Sequence, residues 1–109
     1  RSPMTLALFL TFSFIVVYFW HMEFTYTTQL LREGETYIAY SPEFDLSSCG
    51  DSAEEARHRL HDAVILFFQE AQKMGTLDRI LEESGYSREG DRQWKAPEFI
   101  GVERSAFAF

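Results

Sequence analysis

One cysteine, Cys49, is all the thiol chemistry that the 109 residues hold. A single thiol closes no internal disulfide, and no C-x-x-C pair or histidine-rich companion surrounds it to form a zinc site. Cys49 reads as a small, partly buried apolar residue. Basic residues are scarce as well: 10 Lys and Arg stand against 17 Asp and Glu, a net charge of −7. Nucleic-acid backbones are gripped by clustered Lys and Arg, which excludes one as the main partner; a basic protein or a metal suits the charge better. The chain also has no G-x-S-x-G, no P-loop and no G-x-G-x-x-G. Nucleophilic, phosphate-cradling and dinucleotide chemistries are left without support. There is no internal repeat and no low-complexity tract. What remains is a chain long enough for one small domain, well supplied with core material by 11 Phe and 17% aromatic residues.

A long hydrophobic run occurs once. The 17 residues from Met4 to Trp20 include no Asp, Glu, Lys, Arg or His, and the chain after Met22 is acidic and ordinary in polarity. Taking away residues 1 to 21 removes only Arg1 from the charge balance, which moves from −7 to −8. Three readings stay open. A membrane-spanning helix needs about 20 apolar residues and tolerates roughly 17 to 25, so the run sits at the short limit. A signal peptide would use Arg1 as its basic start, but Phe19-Trp20-His21 is a poor small-residue cleavage site. The third reading is an upstream extension, with Met22 opening the domain. The expected division is a hydrophobic segment at residues 1–21 and one domain at residues 22–109. That domain is placed in the cytoplasm, or at a membrane if Met4 to Trp20 forms a genuine span.

From Met22 the pattern is regular. In "EFTYTTQLL", Phe24, Tyr26, Thr28 and Leu30 alternate with Glu23, Thr25, Thr27 and Gln29, which predicts a strand. "REGE" supplies a glycine turn, and "TYIAY" is the antiparallel hairpin partner. Pro42 donates no ladder hydrogen bond, so Ser41-Pro42 ends that strand or bulges its edge. "FDLSSC" reads as a short third strand. Gly50 turns the chain off the sheet, and Ser52 with Glu55 makes an S-x-x-E capping box that starts a helix. Ala56, Leu60, Ala63, Val64, Phe67, Ala71 and Met74 share one stripe of a helix of about six turns. Gly75 ends it, Thr76 caps a short second helix through Leu77, Ile80 and Leu81, and Gly85 stops that one. Phe99 to Phe109 is expected to form a last strand. The fold class is α+β: a three- to four-stranded antiparallel sheet with the long helix packed on one face and a short second helix.

Several side chains invite a functional reading. Ile65, Leu66 and Phe68 fall outside the stripe, so a single sheet cannot bury them all; a second copy, another partner or the second helix covers that face, and self-association is expected. Glu43, Asp45 and Asp51 lie close in sequence and could gather around Mg²⁺ for phosphodiester hydrolysis. Asp45 and Asp51 fit turn and helix-start chemistry better, and no further carboxylate completes a two-metal site. His58 and His61, three apart on the helix, could share a metal with Asp62, although exposed helical histidines are mostly plain surface residues. No metal, no cofactor and no catalytic residue is assigned.

The order strand, glycine turn, "YIAYSPEFD", short strand, "GDSAEEA" and long amphipathic helix resembles the HicB-like family, the antitoxin partners of bacterial type II toxin-antitoxin pairs. The resemblance rests on the Ser41, Pro42, Glu43, Phe44, Asp45 turn and on Gly50-Asp51-Ser52 followed by Glu54-Glu55-Ala56. It extends through "GTLDRILEESGY" and "WKAPEFIGVE" to cover residues 22–109. It implies a degraded RNase H-like sheet with the helix on one face, no enzyme activity, and the masking of a small basic HicA-like toxin that cleaves RNA. Many members carry a C-terminal helix-turn-helix or ribbon-helix-helix module for operator binding. The residues up to Phe109 read instead as a strand-like tail poor in Lys and Arg, so no direct contact with DNA is expected from them. An alternative function is a stand-alone oligomeric HicB-like domain, membrane-tethered or not, with a partner other than a toxin.

Overall fold

Alternation and glycine punctuation produce the expected α+β layout. The computed structural model describes residues 23–90 and 93–109; the readings of residues 1–21 lie outside them. Strands β1 (Gln29–Glu33), β2 (Thr36–Ser41) and β3 (Leu46–Gly50) form one antiparallel sheet in the order β1-β2-β3. Helix α1 (Ala53–Met74) follows, then α2 (Leu77–Glu83) and a small hairpin of β4 (Ser87–Arg88) with β5 (Trp94–Lys95). Among the described residues no helix is long and apolar enough to cross a membrane.

The first strand begins later than alternation predicts. Residues 23–28 have extended-strand chemistry, yet their backbone groups find partners other than a ladder neighbour. The Thr27 N–H donates to both carboxylate oxygens of Glu43, at 3.0 and 3.1 Å. The Glu23 carbonyl accepts from the Trp94 N–H at 3.1 Å, beside a parallel bridge between Glu23 and Gln93. At its other end β1 runs on through Arg32 and Glu33, which leaves a two-residue loop, Gly34–Glu35. Gly34 has φ 62°, the left-handed value that a glycine-first hairpin loop needs to match strand twist.

Register sorts the sheet into two faces. Tyr37 opposes Gly50, Ala39 opposes Ser48 and Ser41 opposes Leu46; this face lies under α1, and Ala39, Ser41 and Gly50 are buried. Leu31 opposes Ile38, which opposes Cys49, on the face that α1 leaves open. Cys49 is exposed there, contrary to its expected partial burial. The sheet pattern, not the thiol's apolar character, decides this, because Gly50 next to it takes the inward position.

The core forms where α1 meets β2 and β3: Ala56, Leu60, Val64, Phe68 and Ala71 from the helix, joined by Leu77, Leu81, Tyr86 and Trp94. Two expectations fail here. Phe68, read as outward-facing, is 7% exposed and belongs to the core, while Phe67 is only half-buried. Spacings of three and four from Val64 reach either residue, and tertiary contacts choose: Phe24 from the leading segment stands 4.4 Å from the Phe68 ring and Phe44 from the β2–β3 turn stands 4.8 Å from it, centroid to centroid. Met74, placed in the stripe, is exposed, because α1 ends beyond the sheet.

Helix ends follow local chemistry with one exception. Gly75 takes φ 71°, and the Thr76 N–H donates to the Ala71 carbonyl at 2.9 Å, the left-handed stop that glycine allows without strain. Thr76 does not cap α2; its hydroxyl donates back to the Ala71 carbonyl at 3.4 Å. The expected last strand at Phe99 to Phe109 is also absent. Residues 96–109 take no regular structure, and among the described residues no strand pairs with them.

Candidate functional site

The Ser41 to Asp45 turn is a structural knot. Glu43 is held by the Thr27 N–H and accepts from the Ser41 hydroxyl at 3.3 Å. Phe44 stacks on Tyr86 at 5.4 Å and 13° and meets the edge of Phe68. Asp45 has φ 54° and accepts from the Tyr40 hydroxyl at 2.9 Å; that bond raises the Tyr40 pKa, with desolvation and the Asp45 charge behind it. Pro42 is exposed. Across the same junction the Tyr86 hydroxyl donates to the Thr25 carbonyl. Burial first and the nearby Glu43 charge second push the Tyr86 phenol far above its ordinary value. The turn therefore ties the leading segment, the sheet and the region after α2 together.

Two of the three carboxylates that could have gathered a metal, Glu43 and Asp45, are engaged separately. Glu43 faces Thr27, Asp45 faces Tyr40, and Asp51 sits at the helix start, where its N–H donates to Glu55 Oε1 at 2.6 Å. Among the described residues no three His, Cys, Asp or Glu converge on one point. His58 and His61 also take different partners. His58 Nε2 lies 3.7 Å from Asp62, while His61 Nδ1 is hydrogen-bonded at 2.7 Å to the Tyr26 hydroxyl. Tyr26 and His61 join across 35 positions of sequence, so no spacing signal could have found the pair. They border an open groove of about 620 Å³ between the leading segment and α1, lined also by Phe24, Glu54, Arg57 and His58. Burial raises the Tyr26 pKa, and its hydroxyl is a hydrogen-bonding group on the groove wall.

At the start of α1, Ser52 Oγ accepts from the Glu55 N–H at 3.1 Å. Glu55 reaches one residue past the cap to the Asp51 N–H. Arg59 then bonds the Cys49 carbonyl at 3.1 Å and Glu55 at 3.4 Å, locking the strand-to-helix corner.

The surface most suited to a macromolecule lies on the outside of α1. Ile65 and Leu66 are exposed, Leu66 at 63%. Asp62, Leu66 and Glu70 follow at four-residue steps, so they line one ridge with the apolar side chain between two carboxylates. His58 stands 3.7 Å from Asp62 and Lys73 3.7 Å from Glu70, exposed ion pairs of little strength that a partner can replace. Phe68, grouped with Ile65 and Leu66 from the sequence, is inside the core and has no surface to offer. No protein-family model, no curated protein and no solved structure matches the chain.

Proposed function

We propose that the chain is a HicB-like antitoxin: it binds a small, basic, RNA-cleaving toxin and blocks it by covering the surface that grips RNA. The observation that carries this reading is the Asp62, Leu66, Glu70 ridge, an exposed apolar residue framed by carboxylates. A toxin that holds RNA presents Lys and Arg, and a chain of net charge −7 meets such a surface with complementary sign. The sequence resemblance points the same way, and the sheet with one long and one short helix agrees with the layout that it implies. The reading assigns no catalysis to the chain and puts it in the cytoplasm, where its RNA-cleaving partner would act.

The test is to purify the full chain with its stoichiometric partner from its host, separate the two under denaturing conditions, and refold each. The partner should cleave RNA alone and stop when the wild-type chain is added back. The Leu66→Lys variant should fold normally and inhibit at least tenfold less well, and inhibition by the wild-type chain should weaken with added salt. A partner without RNase activity, or a Leu66→Lys chain that inhibits fully, would sink the reading.

A further inference from the structure

Two features that have no strand partner among the described residues fit each other. The first is the outer edge of β1. The sheet order places β1 at its end, and Leu30 and Leu31, on opposite faces, are both exposed. An open edge with apolar residues on both faces is a template for another strand. The second is residues 96–109, which have no regular structure yet expose Phe99, Ile100, Val102, Phe107 and Phe109, Ile100 at 90%. No strand of its own chain accepts the segment among the described residues.

We infer that this tail is a strand exchanged between two copies of the chain, each tail adding to the β1 edge of the other. Its own sheet is passed by for a visible reason. Gln93 bridges to Glu23 in parallel, but Pro97 then packs beside Gly85. The chain leaves past the Pro42–Glu43 turn, with Phe99 in the shallow groove there. Pro97 itself brings no N–H to a ladder.

Direction and register follow from charge. Laid parallel to β1, as the 93–95 segment already lies to the residues before β1, the tail sets Val102 beside Leu31, Glu103 beside Arg32 and Arg104 beside Glu33. Ile100 falls beside Gln29 on the open face, and Gly101 beside Leu30 on the α1 face. Both charged pairs are then complementary. Val102 also extends the row Leu31, Ile38, Cys49 that crosses the open face of the sheet.

The experiment uses the full chain and two charge reversals at exposed positions, Glu33→Arg and Arg104→Glu, with circular dichroism to check that each variant is folded. Mass is read by sedimentation equilibrium. Wild type should be dimeric. Each single variant places like charges opposite each other at both junctions and should dimerise at least tenfold more weakly. Mixing the two variants should restore the dimer, because each tail then meets an opposite charge on the other copy's edge. A monomeric wild type, single variants as associated as wild type, or a mixture that stays dissociated each overturns the exchange. These readouts do not involve the toxin, so they stand or fall separately from the proposed function.

Discussion

At the scale of a residue, Gly50 shows what this fold requires of its backbone. Its φ is not in the left-handed region; the constraint is space. A Cβ there would sit 2.9 Å from the Ala56 backbone nitrogen and 2.9 Å from the Glu55 Cβ, closer than real Cβ atoms come. Gly50→Ala should therefore destabilise by about 1–3 kcal/mol, read as a lower denaturant midpoint; an unchanged midpoint would mean that the helix start slides away freely. Phe68 and Leu66 make a second contrast. Phe68→Ala removes a ring clasped by Phe24 and Phe44 and should cost about 3–5 kcal/mol. Leu66→Ala, on the exposed ridge, should stay within about 0.5 kcal/mol. Equal losses in urea unfolding would contradict the assignment of faces on α1. The burial of Phe68 was not readable from spacing alone, since the two rings that settle it come from residues 24 and 44, far away in sequence.

At the scale of an element, the most legible feature is the start of α1. Ser52 and Glu55 act through neighbouring backbone, so a four-residue pattern is enough to announce them. Ser52→Ala should lose about 1 kcal/mol, measurable by thermal unfolding, and Ser52→Asp should recover most of it, because a carboxylate accepts the same Glu55 N–H. Strand ends are less legible. Alternation from Glu23 onward is real, but the ladder begins only at Gln29, because the Glu43 carboxylate takes the Thr27 N–H. Likewise Thr76 has the composition of a cap, yet its hydroxyl turns to the end of α1. A short polar side chain next to two helix ends has two acceptors within reach, and only their positions in space decide between them.

At the scale of the molecule, Tyr86 joins three parts of the chain: its hydroxyl donates to Thr25, its ring stacks on Phe44, and it lies in the core. Its pKa is raised above the ordinary 10.0 by burial and then by Glu43. The neutral phenol is thus favoured in the folded state, and the sign follows: the unfolded chain releases this proton first as pH rises. The stabilisation is complete below pH 10 and is lost progressively above it, toward the folded-state value. Alkaline unfolding should show this fall, and Tyr86→Phe should make it shallower while lowering stability at neutral pH by about 0.5–1.5 kcal/mol through the lost hydrogen bond. A Tyr86→Phe protein with an unchanged alkaline profile would show that Tyr26 and Tyr40, which are also raised, carry the effect instead.

What the sequence determined by itself is whatever depends on near neighbours: two-residue periodicity in the strands, the glycine at the hairpin, the Ser52 cap and the Gly75 stop, together with an acidic charge balance. The tertiary structure decided everything that depends on meeting at a distance. It chose Phe68 over Phe67, turned Cys49 to the open face of the sheet, paired Tyr26 with His61, and left Phe99 to Phe109 without regular structure. The physical reason is common to all four. Periodicity fixes which side chains share a face of an element, but burial and pairing need a second surface, and only the folded chain brings that surface into place.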